Sequence, residues 1–152
     1  MPRRTAVYAA GNNGSGNQYG NVIGYFSLLN QSKNTIIVGN WDTANTDLSS
    51  SSSMGPTYDG RLKPDVVAPG SNIVSTGTGT TANGYRPTGG TSMASPAVAG
   101  VTALMLESWQ DTYSTPLGTT IDDSAPLPAT MRALLIQSAT DIVDNDVRST
   151  TS

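Results

Sequence analysis

No histidine occurs anywhere in the 152 residues, so no imidazole is at hand to carry a proton at neutral pH. Cysteine is also absent, which excludes disulfide frameworks and thiolate metal sites and leaves the redox compartment unreadable. Charge is scarce: charged residues make up 12% of the chain against roughly 25% in ordinary globular proteins, and Ser, Thr, Asn and Gly take their place. The eight Lys and Arg form no basic run beyond Arg3-Arg4, and with a net charge of −3 this argues against a nucleic-acid partner. No apolar run reaches the about 20 residues that cross a bilayer. The longest, Ala94 to Leu106, is interrupted by Ser95, Pro96 and Gly100 and reads as a buried soluble helix. Met1 to Thr5 leads straight into a strand-like run and does not read as the apolar stretch and small-residue cleavage site of a signal peptide. What remains is a chain of single-domain length, folded, loop-rich and weakly charged.

Thr5 to Ala10 is a short apolar run stopped by Gly11-Asn12-Asn13-Gly14, the pattern of a buried strand ending in a tight loop. Thr35 to Gly39 and Val66 to Ala68 repeat it, and Ile73-Val74 is a candidate fourth. Continuous runs of this kind predict a parallel sheet covered on both faces. From Ser92 the period changes, and Met93, Ala94, Ala97, Val98, Val101, Ala103, Leu104, Met105 and Leu106 surround most of a helical circumference, which predicts a central, buried helix. Pro96 places the start of that helix close to Ser92, at the positive end of its dipole. Asp111 to Ser124 reads as a surface loop, Leu127 to Ala139 as a second amphipathic helix opened by Pro128, and the serine run Ser49 to Ser53 as a solvated loop.

The segment Gly89-Gly90-Thr91-Ser92-Met93-Ala94-Ser95-Pro96-Ala97-Val98-Ala99-Gly100 has the composition that a serine nucleophile needs. Glycines before it let a substrate backbone approach, small residues after it let its helix pack, and the helix N-terminus offers N–H groups to an oxyanion. A Gly-Thr-Ser ahead of an apolar helix also serves as a plain N-cap, and Asn12 and Asn13 also serve as turn residues.

The longer string, Gly90-Thr91-Ser92-Met93-Ala94-Ser95-Pro96 followed by Val98-Ala99-Gly100, resembles the nucleophile motif of the subtilase family of serine proteases. Ala9-Ala10-Gly11-Asn12, Asn34 to Gly39, Gly55 to Gly70 and Ala129 to Asp141 resemble further segments of that family in the same order. The resemblance implies an α/β, three-layer fold with a mostly parallel sheet, of which residues 1–152 are the C-terminal portion of one catalytic domain. It implies Ser92 as nucleophile, Asn12 as oxyanion-hole donor and Ala9, Ala10 and Gly11 as one wall of a specificity pocket for a polypeptide substrate. A secreted or extracellular setting is implied in the same way. Ala97, where the family often has His, and Ser51, where it often has an aromatic residue, are departures outside the chemistry.

The family also needs an Asp and a His from segments ahead of the oxyanion asparagine, and neither is present here. The expectation is a domain clipped at both ends, inactive alone, that needs the missing segment or associates with itself. The related sedolisins use a Glu base, but Glu107 follows Ser92 by fifteen positions on the same predicted helix, roughly 22 Å away. A Ser/Lys pair would need Lys33 or Lys63, and Lys63 lies in the scaffold segment Gly55 to Gly70, which disfavours it. No cofactor is expected: many subtilases bind calcium, but no spacing among Asp122-Asp123 or Asp141, Asp144 and Asp146 defines a site. Asn13-Gly14-Ser15 and Asn30-Gln31-Ser32 fit the glycosylation pattern but carry no weight without a eukaryotic secretory route. The competing reading is a non-catalytic subtilase-like fragment or binding module.

Overall fold

The short apolar runs become strands where the sequence predicts them. The computed structural model describes residues 4–14, 28–77, 84–113 and 125–141. Its elements are β1 (Val7–Ala9), β2 (Ile36–Asp42), β3 (Asp47–Leu48), β4 (Val66–Pro69), β5 (Ile73–Thr76), β6 (Tyr85–Thr88), α1 (Thr91–Tyr113) and α2 (Pro128–Ser138). β2 is central. β1 runs parallel along its start, with Val7 opposite Ile36 and Ala9 opposite Val38, while β4 runs parallel along its other edge from Val38↔Val66 to Trp41↔Pro69. β3, too short for any periodicity to announce, turns back antiparallel against Trp41 and Asp42. Ile73-Val74 belongs not to this sheet but to a separate antiparallel hairpin with β6.

Both faces of β2 are covered, which is why Ile36-Ile37-Val38 is apolar without alternation. Ile36 and Val38 pack with Ala94 and Val98 of α1 and Leu135 of α2; Ile37, on the other face, meets Ala10 and Leu28. Full burial of each such aliphatic side chain stabilises the fold by about 1.5–3 kcal/mol. α2 is also tied to the sheet by charge. Asp65, its side chain 2% exposed, accepts from Lys63 Nζ at 2.5 Å, Arg132 Nε at 3.1 Å and the Ile37 N–H at 2.8 Å. A buried carboxylate is tolerable only when its oxygens are satisfied in this manner.

Three expectations are corrected. α1 is not wrapped on all sides: Thr91, Ala94, Val98 and Thr102 are buried, whereas Val101 is 49% and Leu104 65% exposed. Its apolar circumference meets the sheet on one face only. The serine run is not a solvated loop throughout, since Ser52 and Ser53 are 1% and 0% exposed and supply buried hydroxyls to the backbone of Asn40 and Asn13. Finally, α1 continues to Tyr113, so the first three residues of the predicted loop at Asp111 are helical, and the Thr112 hydroxyl donates to the Ser108 carbonyl. The rest of that loop, residues 114–124, lies outside the described residues, as do Asp122, Asp123, Asp144 and Asp146.

Candidate active site

Parallel strands carry their C-terminal ends to one edge of the sheet, and there β1 ends against the start of α1. Beyond Ala10 the chain turns at Gly11, whose φ of 113° favours glycine. Gly90, at φ 139°, plays the same part ahead of α1, and a Cβ on it would lie 3.0 Å from both the Nδ2 and Oδ1 atoms of Asn12. The approach of the two glycine turns is what brings residues 12 and 92 into one place.

Asn12 and Thr91 are bonded in a closed ring across the chain. The Gly11 N–H donates to Thr91 Oγ1 at 3.1 Å, that hydroxyl donates to Asn12 Oδ1 at 3.1 Å, and the Thr91 N–H donates to the same Oδ1 at 2.9 Å. An N–H can only donate, so the carbonyl oxygen of Asn12 must face Thr91 and the NH₂ must face away. Asn12 is an exposed residue, and its Nδ2 has no hydrogen-bond partner among the described residues. Asn12 thereby also acts as a long-range cap of α1, meeting one of the N–H groups that a helix start leaves unpaired.

The next N–H along the helix belongs to Ser92. Met93 and Ala94 donate to the Gly90 carbonyl at 2.9 and 3.4 Å, and Thr91 to Asn12, but the Ser92 N–H has no partner among the described residues. Pro96 lacks the N–H that would pair with the Ser92 carbonyl, so it sits at the end of the first turn, as its chemistry requires. An exposed hydroxyl, its own unpaired N–H and the positive end of a 23-residue helix thus coincide next to a second unpaired donor, Asn12 Nδ2. Two unpaired donors next to a serine hydroxyl are groups of the kind that stabilise a developing oxyanion.

Of the other sequence candidates, Ala10 is fully buried with Leu28 and Ile37, and Gly11 is buried with its N–H and carbonyl taken by Thr91 and Ser53; Ala9 is half-buried. A cavity of about 740 Å³ between β4 and the end of α2, lined by Trp41, Val67, Ile136 and Asp141 among others, includes none of Asn12, Thr91 or Ser92. No base for Ser92 emerges among the described residues. Glu107 lies on α1 itself, fifteen residues beyond Ser92 and roughly 22 Å along the axis. Lys63 is held by the Thr35 carbonyl and Asp65, and Lys33 precedes β2, at the opposite end of the parallel strands. Among the described residues no three His, Cys, Asp or Glu side chains cluster to hold a metal ion. No described helix is long and apolar enough to cross a membrane.

Residues 3–151 match the sequence profile of the Subtilase family, the S8 peptidases. The serine protease/ABC transporter B family protein tagB of Dictyostelium discoideum is 37% identical over 108 residues, covering 61% of this chain and 6% of that protein. The C5a peptidase of Streptococcus pyogenes is 36% identical over 104 residues, 68% of this chain and 8% of that protein. Among solved structures, the Clostridium perfringens CspB protease superposes with a TM-score of 0.58 at 30% identity, over 76% of this chain and 23% of its own. The chain therefore spans under a tenth of the length of these two curated relatives.

Proposed function

This chain belongs to the subtilase family of serine proteases, and on that premise we propose that it is the nucleophile-bearing C-terminal part of a subtilisin-like endopeptidase domain. Ser92 Oγ attacks the scissile carbonyl of a polypeptide, and the Ser92 N–H and Asn12 Nδ2 receive the oxyanion. The observation that supports this most directly is the pairing of two unengaged donors beside Ser92, with Asn12 oriented by Thr91. Ala9 and the backbone leading to Gly11 border the substrate on one side.

The base and its orienting carboxylate come from outside this sequence, which has no histidine. Without them, attack by Ser92 loses up to about 10⁶ in kcat, a magnitude that belongs to a subtilisin and is carried over by kinship. The isolated chain is accordingly inactive. Its open surface fits that dependence: β1 pairs with β2 alone among the described residues and exposes Tyr8, and Val101 and Leu104 of α1 are exposed as well. Such a surface is covered by the complementary segment or by a second copy. No cofactor takes part in this reading, and the setting is secreted or extracellular, as the family implies.

A fluorophosphonate probe tests the proposal. It labels Ser92 when the upstream segment carrying Asp and His is supplied, and the Ser92→Ala variant stays unlabelled. No labelling of the wild-type chain in the presence of that segment supports the second reading, a non-catalytic subtilase-like module, which the lack of histidine favours.

A further inference from the structure

β2 is buried and apolar through Ile36, Ile37 and Val38, yet two residues later it carries Asn40, 1% exposed. An amide in such a place costs about 1–3 kcal/mol unless hydrogen-bonded. Asn40 is well bonded. Its N–H donates to Ser52 Oγ at 3.0 Å, its carbonyl accepts from the Ser49 N–H at 2.9 Å, and Nδ2 donates to Ser71 Oγ at 3.1 Å. A leucine of similar size would fill the space without any desolvation cost, so burial alone does not call for the amide.

What the amide touches is the support of the nucleophile. A Cβ at Gly70 would stand 2.5 Å from Asn40 Oδ1, 2.7 Å from the Gly90 carbonyl oxygen and 3.0 Å from Ala94 Cβ, so the turn at residues 70–71 is wedged between Asn40 and the first turn of α1. The Gly70 carbonyl accepts the Gly90 N–H at 2.8 Å, and the Gly70 N–H reaches the Trp41 carbonyl at 3.3 Å. Each link is directional. Resting on the protease reading above, we propose that Asn40 is a positioning residue for Ser92. Through Ser71 and Gly70 it sets where Gly90, and with it the first turn of α1, sits relative to β2, as Asn12 does from β1.

Two measurements decide it. In this chain, amide hydrogen exchange at Gly90 and Thr91 accelerates about tenfold or more in Asn40→Ala and in Ser71→Ala, while Val38 and Val98 keep their protection. Ser71→Ala leaves the core untouched, so the test survives if Asn40→Ala folds poorly. In the full-length protein each variant lowers kcat about ten- to a hundredfold at unchanged KM, since displacement by about 1 Å is worth that much, and the double variant is no slower than Asn40→Ala. Unchanged exchange at Gly90, or acceleration spread evenly over β2 and α1, overturns the proposal. The protease reading fails separately, if wild-type Ser92 never labels, and the exchange result then still judges whether Asn40 holds the helix start.

Discussion

The first turn of α1 and its outer face behave as different materials. At its start, α1 is pinned: Thr91 is 0% exposed and bonded to Gly11 and Asn12, and Gly90 is tied to Gly70. Farther along, the outer face is open, with Val101 and Leu104 about half or more exposed although neither is polar. A helix apolar around its circumference is built to be enclosed, and here one face is enclosed by the sheet. On the function proposed above, the contrast separates two jobs: the pinned turn aims chemistry and the open face takes cover from a complementary segment or a second copy.

The comparison can be broken at its strongest point first. Ser92→Ala in the catalytically complete protein removes about 10⁶ in kcat, the subtilisin magnitude, with little change in thermal stability, because the hydroxyl holds nothing in place. Asn12→Ala should lower kcat about 10²–10³-fold, a value that also comes from a subtilisin, with KM nearly unchanged; steady-state kinetics on a peptide substrate read this out. The same variant loses the acceptor for the Thr91 N–H, and a stability loss of about 1 kcal/mol in denaturant titration is expected.

A matched pair tests the two faces directly. Val98→Ala, under the sheet, should destabilise the fold by about 1–3 kcal/mol, whereas Val101→Ala, three residues on, should stay within about 0.5 kcal/mol. Equal losses in urea titrations would mean the outer face is covered and the contrast is false. The smallest effect lies away from both faces. Hydrogen bonds from Arg61, and then from the Thr57 hydroxyl, lower the Asp59 carboxyl from 3.8 to about 2. Its folded value is below its unfolded one, so the contribution is complete above about pH 4 and disappears as pH falls toward 2. Asp59→Asn should flatten the small slope of stability in that window, measured by thermal melts at stepped pH.

The strand runs, the start of α1 at Thr91 and α2 behind Pro128 were legible because each is signalled by neighbours in the chain. Ser92 stood out as a candidate for the same reason, as one member of a continuous string. The role of the serine run was not, because Ser52 and Ser53 look solvated until β2 and the Asn12-Asn13 turn are placed against them. Asn40 is preceded by an ordinary apolar strand, and nothing local announced its bond to Ser71, thirty-one residues away.

Composition and local order alone determined that a serine stands at a helix start, that glycines precede it and that no imidazole accompanies it. Only the tertiary structure decided which way the Asn12 amide points, that Asn40 lies beneath the same turn and that Val101 and Leu104 of α1 are exposed. The reason is physical: hydrogen-bond direction and burial depend on partners brought together across 79 or 31 residues, and no short-range pattern encodes where those partners will be.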